Sequence, residues 1–199
     1  MSTLTLHLGR PTLADRFFAR SIATDIVLVS AGAAVTAVAS QLYIPIQPVP
    51  ITLQTLAVIL VGSTLGATRG ALSMVLYLAV GMLGMPVFSE GASGTSVVFG
   101  ATGGYIVGFI FAAALTGWLA QRDWDKKFLG AAVSMAAGTI MTFAIGLPWL
   151  AVSLNASLAQ TLEWGLYPFI IGGIVKSAIA AGLLPLTWKF ADRLAARRD

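Results

Sequence analysis

A chain of 199 residues that is 57% hydrophobic, only 10% charged and has a mean hydropathy of +0.87 is not a soluble domain, which carries about 25% charged residues; it reads as a membrane protein. The absence of cysteine excludes disulfides, thiolate metal sites and a cysteine nucleophile. In a membrane protein a net charge of +4 reports topology before it reports an anionic partner.

The opening stretch, MSTLTLHLGRPTLADRFFARS, has neither the compact apolar core nor the cleavage pattern of a signal peptide, and its His7 precedes the apolar sequence and is expected at the surface. Apolar runs follow at about 22–40, 54–67, 70–85, 103–120, 128–150 and 167–190. The second and third are short for a span of roughly 20 residues and are separated only by ATRG. The cations then sort by connection. Arg10, Arg16 and Arg20 precede the first run, and Arg69 lies in the turn after the second. Arg122, Lys126 and Lys127 separate the fourth from the fifth, and Lys189, Arg193, Arg197 and Arg198 close the chain. The alternate connections, 41–53, 86–102 and 151–166, contain no Lys or Arg. Six spans put every one of these cations on one side, and the positive-inside rule makes that side, with both termini, cytoplasmic. The expected fold is all-α and integral to the membrane: one domain over 1–199, six transmembrane helices and an outward-facing ligand pocket.

The first outer connection reads IPIQPVPI. Its prolines, Pro45, Pro48 and Pro50, predict an extended, stiff segment across the top of the bundle. Thr52, Gln54 and Thr55 then open the second helix, where Thr52 either caps the helix or faces an outer cavity with its neighbours. The first helix carries small residues at Ser30, Ala33, Ala34 and Ala37, a face suited to close packing within the bundle or against another membrane protein. Asp25, at its inner end, complements the helix dipole. Glu90 and Glu163 lie in outer connections and read as solvated.

Before the fourth helix, Thr102 is positioned to cap it, Gly103 and Gly104 to leave backbone amides accessible to a polar group, and Phe88, Phe99 and Tyr105 to form an apolar wall with a polar tip. An interfacial aromatic belt accounts for the same aromatics. The segment lacks a nucleotide-binding motif, and the tripeptide NAS at 155–157 is a weak match to a glycosylation sequon. One cation stands inside a span. Lys176 is about eight residues, or roughly 12 Å, past Pro168, deep enough to face the bundle interior or a water-filled cavity and attract a carboxylate. Gly172 and Gly173 leave space beside it. No Ser/His/Asp set, HExxH or carboxylate pair argues for an enzyme.

The stretches IPIQPVPITLQTLAVILVG, GALSMVLYLAVGMLGMPVF, ATGGYIVGF and PFIIGGIVKSAIAA, in this order, resemble the BioY family, the biotin-binding membrane subunits (S components) of energy-coupling-factor (ECF) vitamin transporters. The resemblance implies a six-helix fold in the cytoplasmic membrane with an outward biotin pocket. It also implies that an alanine face like Ala33/Ala37 meets a transmembrane coupling protein joined to two ATPases. No cofactor is implied, since only the partner subunits use ATP, and no nucleic acid is a partner. The substrate-binding residues expected are Thr52, Gln54, Phe88, Thr102, Gly103, Gly104, Tyr105, Gly173 and Lys176. Two departures stand out. The family places an acid three residues before the lysine, where this chain has Gly173, and a proline where it has Ala101. Lys176 can pair with the biotin carboxylate while Thr52 and Gln54 bond the ureido group and Phe88 and Tyr105 line the ring; the reverse orientation is equally open. Self-sufficient transport, alone or as a homo-oligomer, is the alternative function.

Overall fold

The computed structural model describes residues 11–195, so His7, Arg10, Arg197 and Arg198 lie outside the described residues. A one-turn 3-10 helix at Ala14–Arg16 leads into α1, Ile22–Ser40, whose N-cap Ser21 accepts the Thr24 amide. A two-stranded hairpin, β1 (Tyr43–Ile44) and β2 (Ile51–Thr52), pairs antiparallel with Tyr43 opposite Thr52. Then come α2 (Gln54–Leu65), α3 (Ala67–Met82), the short α4 (Thr95–Phe99) and α5 (Gly103–Ala120). The chain finishes with α6 (Phe128–Leu154), the short α7 (Leu158–Gly165) and α8 (Tyr167–Ala195).

Among the described residues, four helical stretches are long and apolar enough to cross a membrane: Ile22–Ser40, Gly103–Ala120, Phe128–Leu154 and Leu158–Ala191. The apolar helices α2 and α3 are shorter. The predicted ATRG break between them is not a break. Gly66 alone separates the helices, at φ +86°, and Ala67–Gly70 already belong to α3. A residue with a Cβ is strained at that φ, so one glycine replaces the four-residue turn. The proline segment connects the strands of the hairpin, whose tip turns down onto the bundle: Val49 is buried against Tyr105 and Leu150.

The main core gathers Leu28 and Ala33 of α1, Val58 and Val61 of α2, Met74 and Tyr77 of α3, and Ile106, Phe109 and Ala112 of α5, with Phe88 folded in from the outer loop. The helices α6 and α8 add to it through smaller clusters, Ile59 with Met135 and Ala180, and Ala131 with Ala181 and Leu184. Part of the small face expected to meet a coupling protein packs into this core. Ala33 is only 6% exposed and Ala37 packs against the same cluster. In the middle of α1 the small residues that face outward are Ser30, Ala31 and Ala34.

The end of the bundle that carries Arg69 is held by charge. Arg69, 3% exposed, donates through Nε to Asp25 (2.7 Å) and through Nη1 to Asp15 (2.8 Å), and Arg20 reaches Asp15 at 3.3 Å. Arg69 is therefore buried and not in an open turn, and Asp25 is an ion-pair partner besides standing in the first turn of α1. Burial alone would raise the Asp15 carboxyl, but hydrogen bonds from the Thr12 amide and hydroxyl and from Arg69 hold it below its ordinary value. Between α5 and α6, Asp125 accepts from the Trp188 indole, and burial pushes its carboxyl up to about 6. Lys126 and Arg16 lie over the Trp188 ring, 4.7 and 5.9 Å from its centre.

Candidate functional site

The hairpin delivers Thr52 to the mouth of α2. Its hydroxyl accepts the Gln54 backbone N–H (3.2 Å) and donates to Gln54 Oε1 (2.9 Å). Thr52 is not the cap of α2, whose N-cap is Leu53 without a side-chain cap bond; its hydroxyl accepts the Gln54 amide from one residue earlier, and its side chain lines a cavity. Gln54 Nε2 donates to the Tyr77 hydroxyl of α3 at 2.6 Å, and that hydroxyl donates to the Val87 carbonyl at 3.0 Å. Gln41, just past α1, donates to the Phe88 carbonyl at 2.9 Å, and Ser40 bonds the Val87 carbonyl at 2.7 Å. The loop carrying Phe88 is thus pinned by its own backbone to α1 and α3.

These elements border a partly open cavity with about 470 Å³ of space not filled by atoms, open solvent included. Its polar wall is Thr52, Gln54, Thr55, Ser89 and Thr102; its apolar wall is Val49, Pro50, Phe88, Tyr105, Ile106, Phe109, Phe143 and Phe169. Tyr105, Phe143 and Phe169 form a trio with ring centres 5.7–6.4 Å apart. The Tyr105 hydroxyl donates to the Gly165 carbonyl at 3.0 Å and ties α5 to the corner between α7 and α8. Past Thr55, Phe143 and Phe169, which both spaces share, a second cavity of about 320 Å³ is lined by Thr139, Gly173, Lys176 and Ser177. The Lys176 ammonium donates to the Thr52 carbonyl and to Thr55 Oγ1 (3.1 Å). Those bonds use two of its three donors. Thr52 therefore stands between the two strongest polar groups of the site, holding Lys176 by its carbonyl and Gln54 by its side chain.

The structure brings Thr52, Gln54, Phe88, Thr102 and Tyr105 to the first cavity, and Gly173 and Lys176 to the second. It leaves others out. A Cβ on Gly103 would strike the Val98 carbonyl, and one on Gly104 the Trp149 side chain, so these glycines serve close packing of α5 on α4 and α6 and line neither cavity. Phe99 is 69% exposed on the outside. Thr102 makes no cap bond to α5; its hydroxyl points back to the Val97 carbonyl at 3.5 Å. Glu90 and Glu163 are exposed, in keeping with the solvated reading, and Asn155 of the sequon caps α6 in the left-handed conformation. No atom lies within 4 Å of a Cβ built on Gly173, so the position has room for the acid the resemblance leads one to expect.

Sequence reasoning missed Tyr77, Phe143 and Phe169. Each is one aromatic residue in an apolar helix, without a charge or a break to mark it. Among the described residues, no group of three or more His, Cys, Asp or Glu side chains could hold a metal ion.

Comparison with known proteins places this arrangement. The BioY family model matches residues 10–193. The biotin transporter BioY2 of Lactococcus lactis subsp. cremoris is 38% identical over 155 residues, covering 78% of this chain and 85% of the relative. The biotin transporter BioY of Rhizobium etli is 35% identical over 168 residues, 79% of this chain and 89% of the relative. Among solved structures, the S component for biotin from an ECF-type ABC transporter, a crystal structure at 2.1 Å, superposes with a TM-score of 0.73 at 26% identity, covering 84% of this chain and 92% of that one.

Proposed function

The chain belongs to the BioY family, and from that premise we propose that it captures biotin at the outer face of the cytoplasmic membrane as the S component of an ECF-type transporter. The observation that carries the reading is the juxtaposition at Thr52: an intramembrane ammonium on one side, an oriented primary amide on the other, and aromatic walls between them. Biotin has matching parts. The Lys176 ammonium pairs with its carboxylate, Thr52 and Gln54 bond the ureido group, and Phe88, Tyr105, Phe143 and Phe169 enclose the apolar rings and chain.

In this reading α1, α2, α3, α5, α6 and α8 span the bilayer. Arg16 and Lys126 share Trp188 at one end while Arg69 draws in Asp15 and Asp25, which supports a single basic, cytoplasmic end with both termini there. The hairpin, α4 and α7 then cover the outer end. Coupling to two ATPases runs through a transmembrane protein that approaches α1 on its outward small face, Ser30, Ala31 and Ala34, beside an apolar groove between α1 and α3 lined by Ile26, Val29, Leu72 and Val75.

Equilibrium titration of the purified protein with biotin tests the reading; absence of saturable binding overturns it. Biotin amide fixes the orientation. A large loss relative to biotin puts the carboxylate at Lys176, and no loss puts the ureido end there. Uptake into liposomes with and without ATPase partners separates the S component from a self-sufficient transporter.

A further inference from the structure

Tyr77 does not line the cavity, yet it holds the amide nitrogen of Gln54, which does. Tyr77 is fully buried in α3, edge-on to Phe88 with ring centres 5.5 Å apart. The Val87 carbonyl can only accept, so at 3.0 Å the Tyr77 hydroxyl proton points to it. The phenol oxygen is then left as an acceptor, and the Gln54 group that faces it at 2.6 Å must be the NH2. The Gln54 carbonyl is thereby turned toward Thr52, whose hydroxyl donates to it at 2.9 Å. Donation runs one way, from Thr52 at the cavity wall through Gln54 and Tyr77 to the Val87 backbone carbonyl. After these bonds Gln54 still has one N–H and one carbonyl lone pair. Together they make the edge of a primary amide, the chemical complement of the adjacent N–H and C=O of a cyclic urea.

We propose that Tyr77 is a positioning residue for ligand recognition: its hydroxyl fixes which way round the Gln54 amide faces, and so lets Gln54 pair in two-point fashion with the ureido edge of biotin. The proposal rests on the biotin reading above. It assigns Gln54 a role that depends on a residue without contact to the ligand. Without the phenol oxygen, the amide loses the only partner that distinguishes its two ends on the α3 side. It can then turn over and present an acceptor where the ligand needs a donor.

The test is a double-mutant cycle on the purified full chain, with biotin affinity and thermal unfolding measured on the same samples. Tyr77→Phe weakens biotin binding by roughly tenfold. Gln54→Ala weakens it at least as much. In the Gln54→Ala background, Tyr77→Phe costs no further affinity, while its effect on thermal unfolding persists, because only the first acts through Gln54. Thr116→Val is the matched control: it removes a fully buried helix hydroxyl bonded to the Ala112 carbonyl, touches neither Gln54 nor Tyr77, and leaves affinity near the parent value. Four results overturn the proposal: a Tyr77→Phe variant that binds as the parent does, an equal loss in both backgrounds, a Thr116→Val loss as large as that of Tyr77→Phe, or a Tyr77→Phe chain that fails to fold. A parent protein with no saturable biotin binding fails the functional reading itself, and this proposal falls with it. Parent binding combined with any of the four sinks Tyr77 alone.

Discussion

The two ends of the molecule treat buried charge in opposite ways. At the end proposed as inner, a buried arginine meets two carboxylates, Asp15 and Asp25, and the charge is matched within the protein. At the end proposed as outer, Lys176 meets only neutral oxygens among the described residues, the Thr52 carbonyl and the Thr55 hydroxyl. Hydrogen bonds to neutral groups orient an ammonium without cancelling its charge. A matched charge holds the chain together; an unmatched one in a cavity recruits a partner from outside. Substitution at the two ends should therefore move different observables.

The largest effect belongs to the inner end. Arg69→Ala leaves two buried carboxylates without their cation and costs about 3–5 kcal/mol of stability. Thermal unfolding in detergent reads this as a marked loss, while the folded fraction keeps the parent's biotin affinity. Lys176→Ala does the reverse. Loss of a charge-assisted bond worth about 1.5–3 kcal/mol weakens biotin binding by roughly 10- to 100-fold, with little change in unfolding temperature. Lys189→Ala, near the inner end of α8, changes affinity far less. Equal losses from the two lysines would erase the contrast drawn here.

Next comes the middle of α1. Ala33→Leu with Ala37→Leu overpacks the core by about 1–3 kcal/mol, so stability and biotin binding fall together even without a partner. Ser30→Leu with Ala34→Leu leaves both unchanged in the isolated chain and reduces co-purification with a coupling protein. A double mutant at 33 and 37 that unfolds and binds as the parent does would return the docking face to those residues.

The smallest effect is a pH slope at Asp125. Its native carboxyl sits near pH 6, above the ordinary 3.8, so the native state holds the proton more tightly than the unfolded chain. Its contribution to stability is greatest below about pH 4, declines as pH rises to about 6, and is flat above. Asp15 acts in the opposite sense: its lowered carboxyl stabilises the fold above the ordinary value, and that contribution is lost on acidification. Asp125→Asn should therefore remove a falling component between about pH 4 and 6 and leave the acid-side loss from Asp15. Thermal unfolding across that range, compared between the two proteins, checks it; superimposable profiles would exclude Asp125 as the source.

The sequence was most legible where a residue breaks its surroundings. Prolines 45, 48 and 50 mark the hairpin connection, and Lys176 is conspicuous because a cation in an apolar helix is rare. Thr52 and Gln54 stand out for the same reason. What stayed hidden lies in uniform or distant context. Around Ala33 and Ala34 the first helix offers no periodic contrast that tells the core-packed residue from the exposed one. Arg69 finds its carboxylates 44 and 54 residues away, a pairing no local pattern reveals. Gly103 and Gly104 look like open amides beside a predicted helix start, yet Val98 and Trp149 fill the space above them. Phe143 and Phe169 are ordinary members of apolar helices until the fold brings them against Tyr105.

The neutral company of Lys176 has an electrical side. An empty site carries one positive charge, whereas biotin bound through its carboxylate cancels it, so the loaded site is close to neutral. Moving a full unit charge across a membrane costs or gains about 2.3 kcal/mol per 100 mV. Any step that carries the empty site through the membrane field should then feel the voltage, and the same step of the loaded site should scarcely do so. Vesicles clamped at different potentials would separate the two steps: a voltage-independent single turnover of preloaded protein alongside voltage-dependent multiple turnover is the expected signature, and equal dependence of both would place the compensating charge elsewhere.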